Sequence, residues 1–345
     1  MNLLLNDQEN AIAGLPALLQ CNESEICELN RSKGRASDHS MQRARGARRI
    51  RGRVTEFATP LRSIPPETRV GSTLDLPHAG RRRTPLSVIC TKPAENVGLI
   101  TINRPSKRNS LDAASENALR EAWDWADRDA SIRCIVLTGA GDKAFCAGAD
   151  IGEFLPELQR RVEAGEDEGN FGGLARQYPT EKPIIAAING VAWGGGLELA
   201  LACDIRLASA NASFALPEVR WGIIAGAGGA TRLPRLLPAA VAAEMLLAGL
   251  PIDAESARLH GLVSRLFSDH GSLMQGALEL ATRIASNAPL AVAQTLSLIR
   301  NSRGVLQGES LDMERAAFRR ILTTRDASEG MAAFNENRTP VYKGE

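Results

Sequence analysis

Two glutamates and a run of three glycines make up the stretch of this sequence that is best suited to chemistry. The glycines, residues 194–196, follow a short apolar run at 184–188 that predicts a buried strand, and an apolar helix is predicted to begin on them. The first N–H groups of a helix have no partner inside it and lie at the positive end of its dipole. Glu198 falls on the first turn of this helix, and Glu218 follows after Pro217. The stretch therefore predicts a turn that stabilises developing negative charge beside two carboxylates.

A second glycine-bearing turn, residues 146–150, follows a buried strand predicted at 134–137. Together with the turn at 194–198 it can present two backbone N–H groups to one oxygen atom. Such an oxyanion hole stabilises a thioester carbonyl that becomes enolate-like, and removing one donor typically costs about 3 kcal/mol of transition-state stabilisation. Glycines also occur where two backbone segments approach closely, so the spacing alone leaves both interpretations open.

Glu198 and Glu218 are candidates for an acid–base pair. Two neighbouring carboxylates in a mostly apolar pocket have their pKa values driven apart, so that one can donate a proton while the other accepts one. The alternative for Glu198 is a carboxylate that only stabilises the helix dipole, and for Glu218 an exposed acid in a turn. Their position between glycine clusters favours the paired interpretation.

Other common chemistries find little support in the sequence. No GxSxG nucleophile motif occurs, and the glycines at 226–229 lack the spacing of a dinucleotide fingerprint or a phosphate-binding P-loop. The four histidines fall in no Ser-His-Asp or metal-ligand pattern, so no metal site is expected. The six cysteines include no CxxC pair and are expected to be reduced intracellular thiols.

Charge and hydropathy argue against nucleic-acid and membrane partners. The 345 residues include 41 basic and 40 acidic side chains, so the overall charge attracts neither class of partner. The longest apolar region, residues 184–203, contains Asn189, several glycines and Glu198, and a buried strand–turn–helix explains it better than a membrane span. No secretory signal is recognisable at the start of the chain, and a soluble protein is expected.

Residues 1–85 differ from the rest of the chain. They carry 14 Lys or Arg against 9 Asp or Glu, with six arginines between 43 and 53, and prolines recur from residue 60 onward. A poorly ordered Arg/Pro-rich extension is expected, because little in it can pack. Two alternatives stay open. One is an arm that binds RNA or another anionic surface. The other is a mitochondrial transit peptide, which the absence of Lys and Arg from the first thirty residues opposes.

From residue 86 the sequence predicts an organised α/β domain. Short strands and glycine turns alternate with helices as far as residue 236, and beyond it the pattern is helical to the end. Strand–turn–helix units followed by helices are typical of an α/β domain with a helical C-terminal part. The predicted strands are 87–91, 97–103, 134–137, 184–188, 205–208 and 213–215, and the further predicted helices are 111–126, 239–247, 254–261, 273–287, 290–300 and 311–323.

Five pieces of the chain match the pattern of one family in the right order, which is far more specific than any single piece. On these pieces, residues from about 86 to 345 resemble the enoyl-CoA hydratase/isomerase (crotonase) superfamily, and within it the enoyl-CoA hydratases. The pieces are LITINRP at 99–105, IVLTGAGDKAFCAGADI at 135–151, KPIIAAINGVAWGGGLELALACDIRLA at 182–208, FALPEVRWGIIAGAGGATRLPR at 214–235 and RDASEGMAAFNENRTPVYKG at 325–344.

This resemblance implies a crotonase-like spiral of repeated ββα units followed by a C-terminal helical region. Residues 86–275 are expected to form the spiral core with an acyl-CoA site, and residues 276–345 a helical trimerisation region, with 1–85 as the extension. Such proteins form homotrimers or dimers of trimers (homohexamers), with the site near a subunit interface. A cytoplasmic location is expected, the mitochondrial matrix being the alternative.

The expected site residues are those at the positions that match the family motifs. The oxyanion-hole N–H donors match Ala149 and Gly195, and the two glutamates that hold water match Glu198 and Glu218. The resemblance implies that Glu218 exchanges a proton with the α-carbon of the substrate, while Glu198 orients and activates the water. Further substrate contacts are expected from Gly226 beside the water and acyl chain, from Ala147, Asp150 and Ile151 along the bound substrate, and from Phe318 near coenzyme A.

The presence of both glutamates favours reversible syn addition of water to a trans-2-enoyl-CoA, which gives a 3-hydroxyacyl-CoA. Coenzyme A is then part of the substrate, and no separate cofactor is expected. An isomerase or a specialised acyl-CoA dehydratase on the same fold is the alternative, although family isomerases commonly keep only the later glutamate. An RNA-binding crotonase-fold protein that uses the Arg-rich arm is the alternative from another class. Fatty-acid, aromatic-acid and amino-acid metabolism all use such enzymes, so the pathway stays open.

Two departures from the family pattern lie inside the matching pieces. Ala225 stands where many hydratases have proline, which is expected to loosen the turn before Gly226. Trp193 and Trp221 flank the catalytic pieces. Core packing is expected for both, with a narrowed acyl pocket as the alternative.

Overall fold

A computed structural model of the chain describes residues 86–166, 170–176, 178–302 and 304–345, apart from the side chains of residues 151, 153 and 155. All of these residues belong to one compact unit. The extension predicted at 1–85, with its Arg-rich segment, lies outside the described residues. Its order and its proposed RNA affinity therefore stay predictions.

The strands of the described residues form a large and a small sheet. In spatial order the large sheet consists of β1 (Val88–Ala94), β2 (Val97–Ile102), β3 (Cys134–Gly139), β5 (Ile184–Ile188), β7 (Ile205–Ser209) and β10 (Arg265–Phe267). The small sheet consists of β4 (Ala144–Cys146), β6 (Val191–Trp193), β8 (Ser213–Ala215) and β9 (Ile252–Asp253). Neighbouring strands are parallel except in the pairs β1–β2 and β8–β9.

Helices follow the strands and form most of the C-terminal part. They are α1 (Ala113–Arg128), α2 (Ile151–Glu163), α3 (Gly195–Ala202), α4 (Gly229–Arg232), α5 (Ala239–Ala248), α6 (Ala254–Leu259), α7 (His270–Ala285), α8 (Pro289–Asn301), α9 (Gln307–Leu322) and α10 (Arg325–Asn335). Across the described ranges, no helix has both the length and the apolar character that crossing a membrane requires.

The chain passes three times from the large sheet to the small sheet and then into a helical segment. β3 is followed by β4 and α2, β5 by β6 and α3, and β7 by β8 and a 3-10 turn at Glu218–Trp221. The predicted spiral of repeated ββα units is therefore confirmed. Because β4, β6 and β8 run parallel, the three connections that leave them start from the same edge of the small sheet.

The large sheet is buried on both faces, which explains why its central strands are continuous apolar runs. All six residues of β3 and all five of β5 are buried. One face packs against α7 through Leu273, Ala277 and Ala281. The other face packs toward the small sheet and α1, where Trp123 is buried. This core supports the strands from which the candidate site is built.

The predicted secondary structure is wrong at some short strands. A purely helical segment beyond residue 236 is incorrect, because β9 pairs with β8 and β10 pairs with β7. Strands of two or three residues show no period in the sequence, and their pairing with a neighbour stabilises them. The sequence patterns also do not predict β4, β6 or α10. The predicted domain boundary between residues 275 and 276 lies within α7.

A buried asparagine joins the ends of β3 and β5. Asn189 is fully buried, and its Oδ1 accepts hydrogen bonds from the Thr138 hydroxyl at 3.3 Å and the Gly139 N–H at 3.2 Å. Its Nδ2 donates to the carbonyl oxygens of Gly139, Gly141 and Ala144 at 2.9, 2.6 and 3.1 Å. Asn189 thus bonds three carbonyl oxygens at or near the connection between β3 and β4, and Asn109 adds bonds to the carbonyl oxygens of Ala140 and Ala144. This connection leads into the turn at 146–150.

We expect Asn189→Ala to lower the free energy of unfolding by roughly 3 kcal/mol, because several buried backbone groups would lose their partner. Denaturant unfolding followed by circular dichroism measures this change. The matched control is Asn301→Ala, since the exposed Asn301 makes one bond to the Ser297 hydroxyl, and its effect should stay within about 0.5 kcal/mol. Similar losses in the two variants would contradict the assigned role of Asn189.

Candidate active site

Three parts of the candidate site follow the three parallel strands of the small sheet. Ala149 lies in the turn after β4, Gly195 follows β6, and Glu218 follows β8. In α/β sheets, ligand sites form beyond the carboxyl ends of parallel strands, where such connections converge. Residues that are far apart in the sequence therefore meet at one edge of the small sheet.

Each glycine at 194–196 is required for a different reason. Gly194 has φ of 54° and ψ of −131°, a conformation adopted almost only by glycine. A Cβ atom on Gly195 would lie 2.6 Å from the ring of Phe171, and one on Gly196 would lie 1.9 Å from the carbonyl oxygen of Cys146. The absence of side chains thus lets α3 begin directly against β4 and an aromatic ring.

The same close contact brings the two predicted oxyanion donors together. Gly148 has a φ of +99°, and a Cβ atom there would lie 3.2 Å from the amide nitrogen of Gly195. Gly195 is the first residue of α3, so its N–H has no acceptor within the helix. In the part of the chain that the structure describes, neither this N–H nor that of Ala149 donates a hydrogen bond. Close packing and paired donors are therefore two aspects of one arrangement.

Glu198 is almost fully buried, and two backbone N–H groups bind its carboxylate. The residue is 4% exposed, and Oε1 accepts hydrogen bonds of 2.8 Å from the N–H groups of Ala227 and Gly229. Burial raises the pKa of Glu198 above its usual value, while these two hydrogen bonds and then the charge of Arg232 oppose the rise. A Cβ atom on Gly229 would lie 3.0 Å from this oxygen, so the site requires glycine there.

Glu218 is held differently. It is half-buried at the start of the 3-10 turn after β8, and its Oε2 is buried without a hydrogen-bond partner among the described residues. Burial raises the pKa of Glu218 from its ordinary 4.5 to about 7, and the negative charge of Glu198 adds to the rise. An exposed turn acid, the alternative interpretation of Glu218, is therefore wrong. The two carboxylates thus differ in their hydrogen bonds: Glu198 Oε1 accepts two from the backbone, whereas Glu218 Oε2 has no partner among the described residues.

Both carboxylates line one cavity of about 540 Å³. The lining includes Ala149, Gly195 and Gly226, which the sequence predicts, and its remainder is mostly apolar. Phe154 and Phe171 lie edge to face there, with ring centroids 5.5 Å apart. The other lining residues are Leu158, Val162, Ala175, Arg176, Gly222, Ile223, Ile224 and Ala227. The cavity thus combines acid–base groups and N–H donors with room for an apolar chain.

Within the described ranges, no group of three or more His, Cys, Asp or Glu side chains is placed to hold a metal ion. The polar groups that line the cavity include two carboxylates, backbone N–H groups and the Arg176 side chain. Carboxylates and N–H groups suit proton transfer and the binding of an oxyanion.

Some predicted substrate residues lie outside the lining of this cavity. Ala147 and Asp150 lie on either side of Gly148 and Ala149. The Asp150 carboxylate lies 3.9 Å from the side-chain nitrogens of Arg104 and Lys107. Ile151 is the first residue of α2. Phe318 is 63% exposed on α9. Their predicted contacts with the substrate therefore stay predictions.

The two tryptophans near the site behave differently. Trp193 is half-buried and donates its Nε1–H to the Ser213 hydroxyl at 3.2 Å. Trp221 is 65% exposed, so the core packing predicted for it is wrong. The 3-10 turn that begins with Glu218 directs Trp221 outward and keeps the carboxylate inside.

Sequence patterns do not indicate several residues of the site. Phe154 and Phe171 belong to an otherwise polar stretch, where isolated aromatic residues are the signal that would have pointed to them. The donors to Glu198 come from the backbone of Ala227 and Gly229, and a backbone donor is independent of residue type. The glycine cluster at 226–229, which includes one of these two residues, is the sequence feature that could have pointed to them.

Comparison with known proteins shows the family and the fold of the chain. The sequence model of the enoyl-CoA hydratase/isomerase family matches residues 92–345. The chain is 41% identical over 249 residues to the carnitinyl-CoA dehydratase of Proteus mirabilis, covering 71% of this chain and 94% of that one. It is 40% identical over 257 residues to the (E)-benzylidenesuccinyl-CoA hydratase of Thauera aromatica, covering 73% and 97%. The crystal structure of an enoyl-CoA hydratase from Bacillus anthracis superposes with a TM-score of 0.70 at 38% identity, covering 75% of this chain and 100% of the other.

The raised pKa of Glu218 predicts a pH-dependent effect of Glu218→Gln on stability. Between pH 4.5 and about 7 the folded protein holds this proton more tightly than the unfolded chain, so the free energy of unfolding falls as pH rises through that window. Glutamine carries no such proton. We expect the melting temperature of the variant, relative to the unmodified protein, to be higher at pH 8 than at pH 4.5. An identical difference at both pH values, measured by calorimetry, would contradict the shift.

Proposed function

Because the chain belongs to the enoyl-CoA hydratase/isomerase family, we propose that it catalyses the reversible syn addition of water to a trans-2-enoyl-CoA, giving a 3-hydroxyacyl-CoA. The observation that carries this proposal is the presence, in one cavity, of a carboxylate anchored by two backbone N–H groups and of a second one whose Oε2 is buried without a partner among the described residues. Hydration requires a base for the water and an acid for the α-carbon. Moving a double bond requires only one group that carries a proton between two carbons.

In the proposed reaction, the thioester oxygen accepts hydrogen bonds from the N–H groups of Ala149 and Gly195. These donors stabilise the negative charge that develops on this oxygen while the β-carbon is attacked. The Glu198 carboxylate takes a proton from water as the water oxygen bonds to the β-carbon, and the Glu218 acid gives its proton to the α-carbon. The new C–O and C–H bonds replace the second bond of C=C. A proton then returns from Glu198 to Glu218.

The surroundings of the two carboxylates support this division of roles. Two N–H donors and a nearby guanidinium favour the ionised form of Glu198, as a base requires, although burial opposes it. Glu218 has a pKa of about 7, so about half of the molecules carry its proton at neutral pH. A general acid works best with a pKa near the working pH.

The apolar lining supports an acyl chain as the part of the substrate that enters the cavity. As part of the proposal, coenzyme A lies outside it, along Ala147, Asp150 and Ile151 and near Phe318. No separate cofactor is needed, because coenzyme A belongs to the substrate. Dehydration of a specialised 3-hydroxyacyl-CoA is the same reaction in reverse. The names of the two relatives, a dehydratase and a hydratase, support including both directions.

We further propose a homotrimer or a dimer of trimers. Leu247, Leu259 and Phe334 are 78%, 81% and 83% exposed in the single chain, and burying them between subunits would be favourable. Light scattering should give three or six times the chain mass of 36.9 kDa. A monomeric mass at working concentration would refute this part of the proposal.

Glu198→Gln and Glu218→Gln should each lower hydration turnover at least about a hundredfold, because each removes one proton-transfer group while keeping the side chain's shape. Loss of the conjugated enoyl-thioester absorbance measures turnover, with crotonyl-CoA first and longer enoyl-CoAs next. The same series ranks acyl-chain lengths.

The control for these variants is Glu279→Gln, since Glu279 lies on α7 outside the cavity lining and bonds to Gln275. Its turnover should match that of the unmodified protein. Near-normal hydration by either cavity variant would remove that glutamate from the mechanism. No hydration of any chain by the unmodified protein would refute hydratase activity.

A further inference from the structure

One arginine side chain ties together two walls of the cavity. Arg232 ends α4, and its guanidinium donates Nη1–H to the carbonyl oxygen of Ala227 at 3.3 Å and Nη2–H to that of Ala175. Both alanines line the cavity, while Arg232 stands behind them. The two carbonyls belong to segments more than fifty residues apart in the sequence.

Each of these segments presents groups to the candidate chemistry. The N–H of Ala227 binds Glu198 Oε1 at 2.8 Å, and the carbonyl of the same residue is held by Arg232. A shift of this residue therefore moves the carboxylate. Ala175 is buried, and its N–H donates to the carbonyl of Phe171 at 3.2 Å. The Phe171 ring in turn packs on Gly195, where a Cβ atom would be only 2.6 Å away. The guanidinium is therefore connected to the base on one side and to an oxyanion donor on the other.

The local backbone is shaped to admit this side chain. Gly228 has a φ of +104°, and a Cβ atom there would lie 1.8 Å from Nη1 of Arg232. The N–H of Arg232 also donates to the Gly228 carbonyl at 2.8 Å. A planar guanidinium with two donors on separate nitrogens can hold both carbonyls at once, which a single ammonium group cannot do in the same geometry.

We propose that Arg232 is a positioning residue for the reaction: it fixes the peptide that holds Glu198 and the wall that carries Phe171 in one mutual arrangement. The inference rests on the proposed hydratase function. Misplacing a catalytic group by about 1 Å can cost about a hundredfold in rate. Loss of this arrangement therefore acts on turnover more than on substrate binding.

The test compares Arg232→Met and Arg232→Lys with the matched control Arg235→Met. Arg235 is exposed and donates to the Thr231 carbonyl at 3.1 Å, away from both walls. We expect Arg232→Met to lower kcat for crotonyl-CoA about thirtyfold to a hundredfold and to change KM less than about threefold. Arg232→Lys keeps the charge but not the two-carbonyl geometry, and should lower kcat about tenfold. Arg235→Met should match the unmodified enzyme.

The pH profile separates charge from geometry. The charged groups that share the surroundings of Glu198 are Glu218 from the 3-10 turn, Arg176 in the cavity lining and Arg232 from α4. With the Arg232 charge removed, the acidic limb of kcat/KM, where Glu198 must ionise, should move to higher pH. It should keep its position in Arg232→Lys, while kcat stays low.

Hydrogen–deuterium exchange provides a readout that does not depend on turnover. Peptides covering 170–176 and 226–229 should exchange faster in Arg232→Met than in Arg235→Met. Equal kcat in these two variants, a rise in KM at unchanged kcat, or unchanged exchange in both peptides would overturn the proposal. If the methionine variant does not fold, the kcat and exchange of Arg232→Lys decide. An unmodified protein without hydratase activity would refute the proposed function. The exchange data would still test whether Arg232 holds the two cavity walls together.

Discussion

Two backbone N–H groups take the place of water around one oxygen of the buried Glu198 carboxylate. An isolated carboxylate in so buried a position would be forced into its neutral form. The donors belong to Ala227 and Gly229, in a connection that no sheet supports. This connection must therefore be held by other means, which accounts for the glycines at 228 and 229 and for the guanidinium behind them. Oε2 of the second carboxylate, Glu218, is buried without a partner among the described residues, and the proposed acid and base roles rest on this contrast.

Much of the fold could be predicted where burial leaves a mark on residue type. The strands β3 and β5 are apolar throughout because both faces of their sheet are covered, and α1 shows the spacing of a helix with one buried face. The three-residue strands β4 and β6 could not be predicted, although β8, equally short, was predicted at 213–215. Segments of this length have no period that distinguishes them from a turn. What stabilises them is a neighbouring strand, which a local pattern does not reveal.

In the candidate site too, features that depend on residue type could be predicted, and features that depend on contacts across the fold could not. The paired glutamates and the glycine turns could be predicted, because carboxylates and missing side chains are visible in the sequence. The amide donors to Glu198 could not, since every residue except proline has an N–H group. Phe171 could not be predicted as a site residue, for a different reason. Its importance comes from contact with Gly195 across the fold, and the glycines on either side of it in the sequence form no pattern that indicates this contact.

Because Ala149, Gly195 and Glu218 each follow one strand of the small sheet, the site draws on equivalent places in successive structural repeats. A substitution at one of these positions alters one proposed chemical role and leaves the strands and turns that carry the other two unchanged. In the proposed reaction, replacing the group after β8 changes the proton donor, while the turns after β4 and β6 still present their N–H groups to the same oxygen. With the roles proposed for these residues, such an architecture favours divergence in evolution: new thioester chemistry can arise by change in a single repeat, while the N–H groups that stabilise the enolate are kept.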